Sequence, residues 1–233
     1  MNRTRDQRIP RSLDCVSTLP APAQKPKNPV NRILPPRPLQ ALIVIGSFTV
    51  LLYLIEIVDA AMSGRLDQFG IQPRSVGGLD GILWAPLLHH GWAHLFANTV
   101  PVLLFGFLAM SNGVGQWVAV TLTIWLFSGV GVWLIGADGT TVGASGLAFG
   151  WLAFLLVRGL FNRAFGQIVV AVALFLYWGS TLLGVLPGDP GVSWQGHLFG
   201  AIGGILAAWL VSMANKSAGK AAPSESSTPA SAA

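Results

Sequence analysis

The sequence predicts an all-α, polytopic membrane protein: a bundle of six membrane-spanning helices with both termini in the cytoplasm. Three observations carry that expectation. The 233 residues are 52% hydrophobic and only 10% charged, with a mean hydropathy of +0.61, whereas soluble domains carry about 25% Asp, Glu, Lys and Arg. Six apolar stretches each approach the roughly 20 residues needed to cross a bilayer. The basic residues gather at or beyond the ends of those stretches, so the net charge of +5 reads as a topology signal, and no nucleic-acid partner is expected.

In order, the expected spans run from Leu39 to Ala61, Gly91 to Ser111, Gln116 to Ile135, Gly143 to Phe161, Gly166 to Leu186 and Trp194 to Met213. Short polar or glycine-rich breaks separate most of them: residues 111–115, residues 136–141, the pair Asn162 and Arg163, and the Pro-Gly-Asp-Pro-Gly run at 187–191. Only the first connection, about residues 62–90, is long. Its Gly, Arg, Asp and Pro, interspersed with Leu, Ile and Trp, predict a loop lying partly in the membrane interface. The core domain is therefore expected over residues 40–213.

The flanks read differently. Residues 1–39 hold eight basic residues and eight of the fifteen prolines with no apolar period, the composition of a disordered arm. The first apolar run starts near Gln40, too late for the charged region and short apolar run of a cleavable signal, so a retained first span is expected. Residues 214–233, mostly Ala, Ser and Pro, read as a disordered tail. With the leading arm inside, Arg158, Arg163, Lys216 and Lys220 fall on the same side, and only Arg65 and Arg74 fall outside. Cytoplasmic segments carry the basic excess, so both flanks are expected in the cytoplasm.

This topology sorts the few polar residues by depth. His94 and Asn98 sit at the start of the second span, Ser145 at the start of the fourth and His197 at the start of the sixth. All three starts face outward, and at about 1.5 Å per residue the four side chains share a similar depth. Polar groups at membrane depth face a bundle interior or a water-filled cavity and are functional candidates. Glycines at spacing four, Gly146 and Gly150 in the fourth span and Gly196, Gly200 and Gly204 in the sixth, form the pattern that lets membrane helices approach closely. If the two stripes face each other, Ser145 comes within reach of His197, which meets the need of a hydroxyl nucleophile for an adjacent base. Taken singly, a serine between glycines is a packing residue, and a lone His is a satisfied buried one. The common depth is what favours a site.

These residues resemble the rhomboid family of intramembrane serine proteases. The matching pieces are His94-Leu-Phe-Ala-Asn98 with His89 five residues before, Gly143-Ala-Ser145-Gly146, and Gly196-His197-Leu-Phe-Gly200 followed by Gly204. The resemblance implies a rhomboid-type bundle that cleaves transmembrane segments near the extracytoplasmic face through an acyl-enzyme. Ser145 would be the nucleophile, His197 the general base, and His94 and Asn98 would join the Ser145 N–H in an oxyanion hole. His89 would be structural, holding the first loop against the bundle, and Gly143 would be a further structural residue near the site. Phe149 stands where the family usually has a tyrosine stacked on the histidine, and Trp84 is followed by Ala85 where some members have Trp-Arg.

Asp138 and Asp189 fall in outer loops and Glu56 and Asp59 on the first span, so no carboxylate is available as a third triad member and a Ser-His dyad is expected. Single-span membrane proteins in the cell membrane are the expected substrates, cut at helix tops that unwind most easily at Gly, Pro or small polar residues. No cofactor or metal is expected. Four histidines are too few for a di-iron desaturase, and a zinc cluster of His89, His90 and His94 is disfavoured. His90 has no assigned role, and Glu56 and Asp59 are expected to be solvated or paired near the outer end of the first span. The alternative is a catalytically inactive rhomboid-like protein that binds transmembrane helices, whose mark would be loss of the serine or histidine.

Overall fold

The structure is a computed structural model and describes residues 31–188 and 191–221. The arm expected over 1–39 and the tail expected over 214–233 therefore lie largely outside the described residues. Among the described residues, six helices are long and apolar enough to cross a membrane. They belong to α1 (Pro38–Ala61), α3 (Trp92–Ala109, extended by a 3₁₀ turn), α4 (Val114–Ile135), α5 (Ser145–Asn162), α6 (Phe165–Trp178, continued as 3₁₀ over Gly179–Val185) and α7 (Trp194–Ala221). A single helical turn, α2 (Gly81–Trp84), lies in the long first connection with three short 3₁₀ segments. No strand occurs among the described residues, only an isolated antiparallel bridge between Ile71 and Thr141.

α5 is the central helix. It packs against α3, α4, α6 and α7, and 67% of its spanning stretch is buried against 11% for α6. The sequence explains this through small residues rather than apolarity. Gly146, Ala148, Gly150 and Ala153 let neighbouring backbones approach, which is how membrane helices gain packing when lipid supplies no hydrophobic contrast. The glycine stripes of α5 and α7 face one another: a Cβ on Gly200 would collide with the Gly146 carbonyl oxygen, and one on Gly204 with that of Gly150. Gly196 instead faces α4, where a Cβ would sit 3.3 Å from Val132 Cγ2. Ser128 of α4 closes the three-helix contact by donating to the Gly196 carbonyl at 2.9 Å.

Three placements differ from the sequence reading. α7 continues beyond Met213 to Ala221: the added stretch holds no proline, and its one glycine, Gly219, weakens a helix without ending it. Arg158, counted as a charge beside a cytoplasmic break, is buried inside the bundle and donates to Ser111 Oγ, with Leu108 O at 3.5 Å. Glu56 and Asp59 are not solvated: they are 3% and 4% exposed, with Asp59 Oδ1 accepting the Leu66 N–H at 2.6 Å. At the other end of the bundle, Arg32 is exposed, but its carbonyl accepts from Gln167 Nε2 at 3.0 Å.

The first connection is sewn onto α4 and the loop that follows it. Trp125 and Trp133 donate their indole N–H groups to Ile82 O and Ser75 O, both at 2.8 Å. Arg74 donates to Gly136 O at 2.7 Å and pairs with Asp138 at 2.6 Å. This loop is thus a fixed part of the fold, positioned to support residues 140–144.

Candidate active site

Ser145 opens α5 and His197 lies in the first turn of α7. Helix starts leave their first N–H groups without intrahelical acceptors, so the Ser145 hydroxyl stands among free donors at the positive end of the α5 dipole. The preceding segment is held almost entirely by the first connection. Thr141 exchanges two backbone hydrogen bonds with Ile71 at 2.9 Å, the Gly143 N–H donates to Ala85 O at 2.8 Å, and the Ala144 N–H donates to His89 Nε2 at 3.3 Å. Gly143 has φ +124°, and a Cβ there would sit 2.6 Å from His94 Cε1. Both the left-handed backbone and the close approach of the His94 ring therefore require glycine.

His197 Nε2 lies 2.9 Å from Ser145 Oγ, and His197 Nδ1 lies 3.0 Å from the Gly184 carbonyl. A carbonyl only accepts, so Nδ1 carries the proton and donates it. The Nε2 lone pair then faces the serine hydroxyl, which donates to it. Phe149, one turn along α5 from Ser145, stacks on the imidazole with ring centroids 3.9 Å apart and planes 6° apart. The site thus contains an oriented hydroxyl–imidazole pair whose orienting group is a backbone carbonyl. Gly184 is also the residue that the sequence reading missed, because a carbonyl that any residue carries leaves no signature in the sequence.

His94 and Asn98 stand across the same cavity of about 920 Å³, which Ser145, Phe149 and His197 also line. Asn98 is 4% exposed and uses one amide hydrogen on the His94 carbonyl at 3.0 Å, leaving a second donor on the same nitrogen. Pro101, a cavity residue inside α3, leaves the Ala97 carbonyl without its usual helical donor. His89 is buried, and desolvation, followed by the neighbouring His94 and His90, pushes its pKa down to about 3. It is a neutral acceptor for Ala144. His90, without an assignment from sequence, lines the cavity and contacts Asp67 at 2.8 Å. Among the described residues no group of three or more His, Cys, Asp or Glu is arranged to hold a metal, His89, His90 and His94 included.

The site thus joins a Ser-His pair at two adjoining helix starts within a bundle of membrane-spanning helices. Comparison with known proteins specifies the family. A rhomboid domain model matches residues 77–214. An uncharacterized protein of Mycobacterium tuberculosis is 44% identical over 207 residues, covering 84% of this chain and 86% of that protein. One from Mycobacterium leprae is 46% identical over 197 residues, covering 81% and 77%. The rhomboid-like protease 5 of Toxoplasma gondii is 31% identical over 160 residues, 61% of this chain and 17% of that protein. The chain belongs to the rhomboid family, and it is a multi-pass membrane protein.

Proposed function

We propose that this protein is an intramembrane serine endopeptidase that uses a Ser145–His197 dyad. The observation that carries the reading is the 2.9 Å contact between His197 Nε2 and Ser145 Oγ, with the opposite ring nitrogen tied to the Gly184 carbonyl. In the proposed reaction, Ser145 Oγ attacks a substrate carbonyl carbon and forms a C–O bond as its proton passes to His197 Nε2. That proton is returned to the leaving amine as the C–N bond breaks. Water then repeats the sequence on the acyl-enzyme, giving its proton to His197 and releasing Ser145. Negative charge develops on the carbonyl oxygen, and the Ser145 N–H, His94 and Asn98 are the donors proposed to meet it. Losing one such donor typically costs about 10² to 10³ in rate.

The distribution of basic residues supports an orientation with both flanks in the cytoplasm, which puts the cavity on the extracytoplasmic side of the cell membrane. Substrates would be single-span proteins whose helix tops unwind there. The test uses purified protein in detergent with a transmembrane substrate carrying a Gly- and Ala-rich helix top. Cleavage is expected for wild type and is expected to be lost in Ser145→Ala and His197→Ala. A fluorophosphonate probe should label wild type and not Ser145→Ala. A protein that binds the substrate helix but neither cuts it nor takes the label is the inactive rhomboid-like alternative.

A further inference from the structure

Among the described residues every Asp and Glu lies at the end of the bundle that carries Ser145. Glu56 and Asp59 close α1, Asp67 and Asp80 belong to the first connection, and Asp138 to the loop before Ser145. The opposite end carries Arg32, Arg37, Arg158, Arg163 and Lys216, with no described carboxylate. Four of these cations are exposed. Arg158 is not: it is 3% exposed, and its Nε and Nη2 meet no acceptor.

Arg158 reaches the start of α4. Its Nη1 donates to Ser111 Oγ, two residues before Gly113, the residue from which α4 begins. Gly113 has φ +102°, no side chain caps the helix, and no acidic residue lies in its first turn. The first backbone bond of the helix runs from the Trp117 N–H to Gly113 O at 3.2 Å, so the N–H groups of Val114, Gly115 and Gln116 have no intrahelical acceptor. Side-chain donors are left over at the same place: Gln116 Nε2 and Trp117 Nε1 are buried without partners, against one unpartnered acceptor, Asn112 Oδ1. The helix start is also open, since nothing lies within 4 Å of the position a Cβ of Gly113 or Gly115 would take.

We propose that residues 111–117, backed by Arg158, form a binding site for a phosphate group at the membrane surface. Free backbone N–H groups at the positive end of a helix dipole hold phosphate oxygens. The guanidinium adds charge from within the bundle, where a cation without a counter-ion is costly. An anion meets that deficit, whereas a neutral hydroxyl or carbonyl does not. Headgroup phosphates lie at the level where spanning helices end, so an anionic lipid is the expected carrier, and inorganic phosphate offers the same oxygens without acyl chains. The exposed cations at this end of the bundle favour the approach of either. Because the site lies at the opposite end from Ser145, its occupancy does not depend on the protease reading.

The experiment follows hydrogen exchange of residues 111–117 in the full chain, purified in a non-ionic detergent. Mixed micelles containing phosphatidylglycerol are compared with micelles containing diacylglycerol, which lacks the phosphate, and inorganic phosphate is compared with chloride at equal ionic strength. Phosphatidylglycerol is expected to slow exchange at Val114, Gly115 and Gln116 about three- to tenfold, the size of an anion's effect at a helix start. Diacylglycerol and chloride should have no effect. Protection by phosphatidylglycerol alone supports a lipid headgroup as the ligand, and equal protection by inorganic phosphate supports the same site with free phosphate as the ligand. Gly115→Asp sets a carboxylate in the open mouth, where it complements the α4 dipole. Its thermal midpoint should therefore hold or rise, while the response to phosphatidylglycerol is lost. Gly115→Ala, whose Cβ enters open space, should keep the response. Arg158→Gln should weaken it, but that change also removes the bond to Ser111, so Gly115→Asp decides. A full response in Gly115→Asp, or no protection from either phosphate source, overturns the proposal. So does slowing of equal size at residues 161–164, which turn at the same end, because that marks a general effect of the charged micelle.

Discussion

Gly184→Ala isolates the orientation of His197 from the chemistry of the pair. A Cβ at residue 184 would sit 3.2 Å from His197 Nδ1 and 3.0 Å from Phe149 Cζ. Ordinary contact begins near 3.4 Å, so either the 3₁₀ turn or the two rings must give by about 0.2 to 0.4 Å. The backbone of Gly184 is not left-handed, so alanine is tolerated conformationally and the cost falls on the contact. Retreat of the turn lengthens the Nδ1–H···O bond from its 3.0 Å and frees the imidazole to rotate or change tautomer. A hydrogen bond of this kind contributes about 1 kcal/mol, equivalent to roughly fivefold in rate. We therefore expect kcat to fall about three- to tenfold in Gly184→Ala. KM and the thermal midpoint in detergent should change little, since the residue lies at the end of α6 and not in the packed core. Gly184→Val, which adds volume at the same point, should lose more. The assay is cleavage of the transmembrane substrate with kcat and KM separated. Wild-type kcat in both variants would refute the assignment of the Gly184 carbonyl as the group that orients the base.

Phe149→Leu removes the ring stacked on His197 while keeping an apolar side chain. Aromatic stacking contributes about 0.5–1.5 kcal/mol beyond burial, so kcat should fall about two- to tenfold, and an unchanged rate would show that the imidazole is held by its hydrogen bonds alone. His89 supplies a stability prediction with a definite sign. Its folded pKa is lowered to about 3 from 6.5, so the unfolded chain binds the extra proton first as the medium is acidified. The stability tied to neutral His89 is complete above the unfolded value and is lost as pH falls toward 3, at up to about 1.4 kcal/mol per pH unit. Thermal unfolding between pH 6.5 and 4 should show a shallower decline in His89→Gln than in wild type, and equal slopes would contradict the assignment.

Scarcity made much of the site legible. In a chain with 10% charged residues, a serine, two histidines and an asparagine near the starts of three spans stand out against the apolar background. The glycine periods show which helices adjoin, and the facing of Gly146 and Gly150 with Gly200 and Gly204 follows from the same spacing. Two kinds of information were not written in that pattern. Contacts made by main-chain atoms, such as Gly184 O, belong to no residue type. Contacts made by loop geometry were equally hidden: Asp67 meets His90 across 23 positions only because the first connection folds through several short 3₁₀ turns. Burial of Arg158 was missed for a related reason, since counting charges by segment does not reveal that Ser111 and Leu108 reach it from the end of the α3 span.

The carbonyl in place of a carboxylate has a physical rationale and a structural consequence. An ionised carboxylate at this depth would have to be desolvated, and that penalty can exceed its attraction to an imidazolium, whereas a carbonyl offers partial negative charge at a far smaller cost. The carbonyl that fills the role comes from the 3₁₀ continuation of α6, the spanning helix with the smallest buried share. The partner serine and the imidazole itself come from α5 and α7, which are locked together by glycine-to-carbonyl contacts. On the proposed reading, the nucleophile and base are therefore rigid relative to each other, while the group that fixes the base's tautomer rides on the separate 3₁₀ continuation of α6, which rests against α7. Displacing the end of α6 would leave the Ser145 to His197 distance intact and still impair proton transfer.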